Sequence, residues 1–301
     1  MNLNKTIIHF MKTKQLLTVL TAAIFAIAIS SCKKTNNGAS ADEVETTFEL
    51  SSDQAVADNL TQDDNDVVVE ATTSADLAGT SPATPPGGPG GPVITGNFLG
   101  GCAVVTVTGN FPAKNIQIDF GTGCTSPWGV VRKGIINIVL TDSLRKTGST
   151  ATVTFNNYYV NGFKKEGTIT WTNTTVSGSG TPSFRRQVQN GKITAPSGAY
   201  WLHTADISIT QTAGASTPNN LTDDVFSISG TRTVTNPAGK TRTSTTQSPL
   251  QKKAICANVD QGVVRVEGPN HYAIIDFGNG TCDNLATISI DGRTPRTIIL
   301  R

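Results

Sequence analysis

The chain is short of charge, of histidine and of long apolar runs. Asp, Glu, Lys and Arg make up 15% of its 301 residues, well below the usual quarter, which excludes a charged coiled coil. Its 29 glycines follow no Gly-X-Y period, so collagen is excluded. The long apolar run, residues 16–29, is too short for a comfortable membrane span. A formal charge of +2 argues against a nucleic-acid binder, which needs a strongly basic surface. No Cys-x2–4-Cys pair is present, and a structural zinc site wants two. The length suits one large domain or two ordinary ones.

The first 31 residues read as an export signal. Lys5, Lys12 and Lys14 form its positive end, and Leu16–Ile29 is an apolar stretch of signal-peptide length. The start codon is read as either Met1 or Met11, because Met11-Lys12-Thr13-Lys14 opens a more standard signal. Ile29-Ser30-Ser31-Cys32 resembles the lipobox of bacterial lipoproteins, and the following Lys33-Lys34 resembles the junction of Bacteroidetes envelope lipoproteins. The resemblance covers about the first 35 residues. It implies that Cys32 becomes the first mature residue and carries a diacylglycerol thioether and an amide-linked acyl chain. It also implies an outer-membrane address, with no Asp beside the cysteine, and leaves open which face of the membrane the domain occupies. Cysteine parity agrees with this over an ordinary signal peptide. Five cysteines stand at 32, 102, 124, 256 and 282, and lipidation of Cys32 accounts for the odd thiol. Each buried acyl methylene contributes about 0.8 kcal/mol, so more than one chain anchors stably.

From residue 32 to 97 the composition predicts a disordered tether. Eleven acids fall between Asp42 and Asp76 with no Lys or Arg among them, and Pro82–Pro92 is a Pro/Gly string. Such a segment buries too little apolar surface to offset its ordering entropy, although one short helix near Ser52–Leu60 is allowed. Asp63-Asp64-Asn65-Asp66 lacks the glycine and the closing acid of a calcium loop. Residues 33–101 hold two bases and eleven acids, a charge of −9; residues 102–301 hold nineteen bases and eleven acids, a charge of +8. An acidic tether of this kind folds back on its basic domain or holds it off a negative membrane.

Residues 98–301 read as an all-β domain. Runs such as Thr168–Thr172, Asp206–Thr210, Val225–Ser229 and Thr287–Ile290 alternate apolar and polar side chains. Asn161-Gly162 and Asn190-Gly191 suit two-residue hairpins, while Asn236–Gly239 and Gly268–Asn270 suit longer turns. About a dozen hairpin-linked strands predict an antiparallel meander. Ile135–Leu140 is apolar on both parities, so one strand should be covered on both faces. A sandwich or a curved, partly closed sheet fits better than a flat one.

The domain contains a weak repeat, Cys102 with Ile118-Asp119-Phe120-Gly121-Thr122-Gly123-Cys124 and Cys256 with Ile275-Asp276-Phe277-Gly278-Asn279-Gly280-Thr281-Cys282. Each copy reads as cysteine, strand, turn, strand, glycine turn, cysteine. Hairpin geometry favours the disulfides Cys102–Cys124 and Cys256–Cys282, with a tie between the units left open. Asp119 and Asp276 are expected to accept N–H bonds from the glycine turns.

Catalytic signals are weak, and no catalytic residue, metal or cofactor is assigned. His203 lies three positions from Asp206 and His271 five from Asp276, odd spacings that put each pair on opposite faces of a strand; both histidines are expected at strand ends. Ser143-Leu144-Arg145-Lys146-Thr147-Gly148 compresses two β-lactamase motifs into one loop, whereas that family draws them from distant elements. Asp142-Ser143-Leu144 resembles the O-glycosylation acceptor of Bacteroidetes envelope proteins, making Ser143 a candidate modification site. Five dibasic pairs remain: Arg132-Lys133, Arg145-Lys146, Lys164-Lys165, Arg185-Arg186 and Lys252-Lys253. Inside a buried strand such a pair would force one charge into the core, so strand ends, loops or exposed edges are expected. Grouped on one rim, Arg132, Lys133, Lys164, Lys165, Arg185 and Arg186 would contact an anionic glycan or lipopolysaccharide; scattered, they would serve solubility and edge protection. Trp128, Trp171 and Trp201 are weighed as a sugar platform, with Trp171 patterned like a core residue.

The sequence therefore predicts a lipid-anchored envelope protein with a structural or ligand-binding β domain. A glycan hydrolase with two convergent acids, or a carrier enclosing a hydrophobic ligand in the curve of its sheet, is the alternative. Oligomeric state is left open.

Overall fold

The structure, a computed structural model, describes residues 41–77, 98–109 and 114–300. The signal segment, Cys32 and the Pro/Gly string lie outside the described residues. Among the described residues fourteen strands follow one helix: β1 (Val104–Thr108), β2 (Lys114–Asp119), β3 (Cys124–Thr125), β4 (Val131–Leu140), β5 (Thr150–Val160), β6 (Phe163–Asn173), β7 (Ser183–Thr194), β8 (Tyr200–Ala213), β9 (Val225–Thr235), β10 (Thr241–Lys253), β11 (Gln261–Glu267), β12 (Tyr272–Asn279), β13 (Leu285–Ile290) and β14 (Arg296–Ile299). They form one antiparallel sheet in chain order from β1 to β14, with β3 paired beside β4. A single curved sheet rather than a sandwich is the outcome.

Alternation sets the two faces. On β4 Arg132, Ile136, Ile138 and Leu140 are buried, and on β12 Ala273, Ile275 and Phe277 are buried. Ile135–Leu140, expected to be covered on both faces, instead shows the ordinary period of two, with Val139 exposed. Asn161-Gly162 closes the β5–β6 hairpin, Val160 pairing with Phe163 and both turn residues at positive φ, as a type I′ turn requires.

A turn expectation fails as well. Asn190-Gly191 makes no hairpin; it is a bulge inside β7, where the register shifts against β8 between Val188 and Gly191. The turn chemistry is right, since Asn190 has positive φ, but the strand continues through it. A Cβ on Gly191 would stand 2.6 Å from the His203 ring, so the absence of a side chain lets the two strands close. Related shifts occur at Lys133/Ile135, Thr154/Tyr158, Glu166/Thr168 and Thr246/Ser248. Bulges increase local twist and bend the strand, and their recurrence from strand to strand bends this sheet as a whole.

The larger correction concerns the acidic tether. Residues Ala41–Leu77 form one helix, α1, of 37 residues, about 55 Å long at the usual rise. From Leu50 to Ala75 nearly every side chain is buried, polar and apolar alike. Bases from β4, β6, β7, β9, β10 and β14 all reach this one helix, so the sheet curls around it. Leu50, Leu60, Val67 and Val68 join the strand residues in one core, each such burial contributing about 1.5–3 kcal/mol. Composition predicted disorder because a helix surrounded on all sides has no single apolar stripe. Its order comes from the sheet.

Candidate functional site

The dibasic pairs explain the acidic helix. Four of the five lie in strands, Lys252-Lys253 closing β10 and the other three beginning within two residues of a strand start, but in each, contrary to the expectation that no charge enters the core, the inward residue is a buried cation. Arg132 Nη2 meets Asp63 at 2.6 Å, Arg232 Nε meets Asp58 at 2.7 Å, and Lys252 Nζ meets Asp66 at 2.7 Å. Lys165 pairs with Asp64, which also accepts from the Tyr158 hydroxyl at 3.1 Å. Arg186 donates to Asn65 Oδ1 at 2.6 Å and Gln62 Oε1 at 3.0 Å. Arg242 holds Glu43, and Lys114 Nζ caps the Ala75 carbonyl at 2.6 Å near the helix C-terminus, where a cation suits the helix dipole. A buried charge is tolerated when its partner is buried with it. Burial pushes the Asp58 and Asp64 carboxyls up, Asp66 to about 6, and Lys165 down. Because Asp58, Asp63, Asp64 and Asp66 each have their own base, sliding the helix by one residue would mispair the set, so the seam fixes its register.

This placement removes half of the expected anionic rim. Arg132, Lys165 and Arg186 are buried under α1. Their outward neighbours are engaged singly: Lys133 lies over the Tyr159 ring, Lys164 pairs with Glu166, and Arg185 pairs with Asp206.

The other candidates separate cleanly. Asp119 Oδ1 accepts from the Gly121 N–H at 2.7 Å, and Asp276 Oδ1 from the Gly278 N–H at 2.9 Å, as the repeat predicts. Both intra-unit disulfides are formed, Cys102–Cys124 and Cys256–Cys282. Cys256, Asp260 and Cys282 lie within 4.8 Å of one another, but the two sulfurs are bonded together and offer no thiolate to a metal. His203 is not at a strand end. It is buried within β8, and burial together with Lys165 and Arg186 lowers its pKa to about 3. Asp206 points the other way, to Arg185, as the odd spacing requires. His271 stands just before β12 and pairs with Asp291. Ser143 and Lys146 share the β4–β5 loop, Lys146 held by Asp142. Trp171 and Trp201 are buried, so neither offers an open sugar-stacking face, while Trp128 stacks on Phe98 at 4.9 Å.

A site that the sequence did not single out opens near the C-terminal end of α1. It is a cavity of about 230 Å³, floored by Val69, Thr72 and Thr73 and walled by Phe184 of β7, Phe226 of β9 and Leu221 of a short 3-10 turn, Leu221–Asp223. Leu144 and Arg145 form one lip, and Gly214, Ala215 and Pro218 the other. Arg145 is exposed, and its Nη2 donates to the Pro218 carbonyl at 3.1 Å. A second cavity, beside Trp128, is only about 10 Å³.

Among the described residues one carboxylate lines the larger cavity. Asp224 is 4% exposed, and its backbone carbonyl accepts from the Ala254 N–H at 2.9 Å. Its Oδ1 accepts from Gln211 Nε2 at 2.8 Å. Desolvation, and then the neighbouring charge of Asp223, raise its pKa to about 7. Gly214 makes room for it, because a Cβ there would come within 2.1 Å of Oδ1. The pair Asp223-Asp224 ahead of Val225-Phe226 was the available signal, but adjacent acids before a strand read first as a turn.

This carboxyl gives a stability prediction. Its folded pKa is raised, so its stabilising contribution is full below the unfolded value and is lost as pH rises through about 7. His203 works in the opposite sense below its ordinary value and is common to both proteins compared. Thermal unfolding from pH 4 to pH 8 should therefore show the parent losing more stability than Asp224→Asn as pH rises. Parallel curves would contradict the assignment.

Comparison with protein families, with curated proteins and with solved structures finds no match.

Proposed function

We propose that this chain is a lipid-anchored cell-envelope protein whose β domain binds a small ligand in the cavity at the end of α1. The observation that carries the binding role is the cavity itself, with its apolar walls, a single lining carboxylate and a mouth between two loops. Pockets of this kind, mostly apolar with a few fixed polar groups, are what small-molecule sites use. The anchoring half rests on Ile29-Ser30-Ser31-Cys32 and on cysteine parity, because the four other thiols are taken up in two disulfides. Disulfides suit an oxidising envelope compartment.

Two features favour this reading over the alternatives. A glycan hydrolase needs two convergent acids, and the described residues lining the cavity include one. A carrier that stores hydrophobic cargo within the curve of its sheet needs that interior free, and α1 fills it.

The two halves are tested separately. Metabolic labelling with a palmitate analogue should mark the parent and leave Cys32→Ser unlabelled; equal labelling would remove the anchor. Ligand-observed NMR against a library of small aromatic fragments should give hits that Ala215→Trp, which fills the mouth, abolishes. Hits that survive Ala215→Trp would place binding elsewhere.

A further inference from the structure

We propose that the cavity ligand is a compact apolar molecule bearing one ammonium group, held by the carboxylate of Asp224. This rests on the cavity being a binding site and names the class of molecule it takes. Apolar groups from α1, β7, β9 and the 3-10 turn line most of the space, so the body of the ligand is apolar. The polar end is set by what the cavity leaves unfilled. Asp224 Oδ1 is occupied by Gln211, whereas Oδ2 receives no hydrogen bond among the described residues. An acid accepts, so the matching group donates, and a donor carrying positive charge makes the stronger, charge-assisted bond.

The surrounding charges agree. From the 3-10 turn Asp223 adds a second negative charge, its Oδ2 accepting from Thr217 Oγ1 at 2.8 Å. From α1 comes Asp66, already neutralised by Lys252. β8 supplies the neutral Gln211, and the turn after β10 the backbone N–H of Ala254. The cation facing Asp224 is Arg145 of the β4–β5 loop. Its guanidinium is exposed and turned to a carbonyl, so water screens its charge. An anionic ligand would have to bury its charge beside Asp224, whereas an ammonium replaces the proton that this carboxyl otherwise holds near neutral pH.

Three probes with one apolar body separate the possibilities: 4-phenylbutylamine, 4-phenylbutan-1-ol and 4-phenylbutyrate, titrated calorimetrically into the full chain. The amine is expected to bind at least roughly tenfold more tightly than the alcohol, since one charge-assisted bond is worth a decade or more in affinity. Phenylbutyrate should be weakest. Asp224→Asn should remove the preference for the amine and leave the alcohol unchanged, and affinity for the amine should climb as pH rises through about 7. If the alcohol or the carboxylate binds as well as the amine, or Asp224→Asn leaves amine affinity intact, the ammonium assignment is overturned and the cavity stands. If none of the three binds, and Ala215→Trp changes nothing in the fragment screen, the binding site itself is overturned.

Discussion

Arg232→Met is expected to destabilise the fold by about 3–5 kcal/mol, the usual cost of removing one partner from a buried ion pair. Arg232 is 1% exposed and Asp58 4%, so water cannot take over the role of the guanidinium. Methionine fills a similar volume, which confines the loss to charge and hydrogen bonds. Arg232 also donates to Thr246 Oγ1 at 2.8 Å and to the Gly230 carbonyl at 3.2 Å, so the helix and two strands lose a shared contact. Urea unfolding followed by tryptophan fluorescence measures the change. The double variant Asp58→Leu/Arg232→Met should recover most of the loss, because a buried pair replaced by apolar groups of similar size is often neutral. Arg185→Met, which breaks the exposed pair with Asp206, should shift the midpoint little by comparison. If Arg232→Met behaves like Arg185→Met, the helix does not lie inside the sheet.

Removing the disulfides should have the next largest effect. They close loops with sequence separations of 22 and 26, for which chain entropy gives about 3 kcal/mol each. Cys102→Ala/Cys124→Ala and Cys256→Ala/Cys282→Ala should each lower stability by about that amount. The loops share no residue, so the losses should add in the fourfold variant. The first bond ties the segment before β1 to β3 beside β4, and the second ties the segment after β10 to the segment after β12. Each therefore fastens one of the repeated units that flank the central strands. A fourfold variant as stable as the parent in urea would mean that the sheet alone holds both units in place.

The β domain was legible because alternation is local. Period-two runs, the Asn161-Gly162 turn and the glycine turns after Asp119 and Asp276 each follow from a few neighbouring residues. The cysteine pairing was legible for the same reason, since each pair spans one hairpin unit. Asn190-Gly191 shows where local reading stops. The dipeptide sets a positive φ, but the hydrogen bonds on both sides of β7 decide whether the chain turns back or bulges. The dibasic pairs were misread for a related reason. One residue of each of the four pairs in strands faces inward, which an apolar interior would forbid.

Sequence alone determined the strand-rich domain, its half-cystine frame and the opposite charges of its two parts. Tertiary structure decided that those opposite charges meet. An acidic segment with no apolar stripe gains nothing by folding in water, where its carboxylates are fully solvated. Inside a curved sheet that presents Arg132, Lys165, Arg232 and Lys252 at matching heights, the same carboxylates are paired as they are desolvated, and the helix forms. The cavity follows from the same event, since its floor is the end of that helix and its carboxylate comes from a turn more than 140 residues away in sequence.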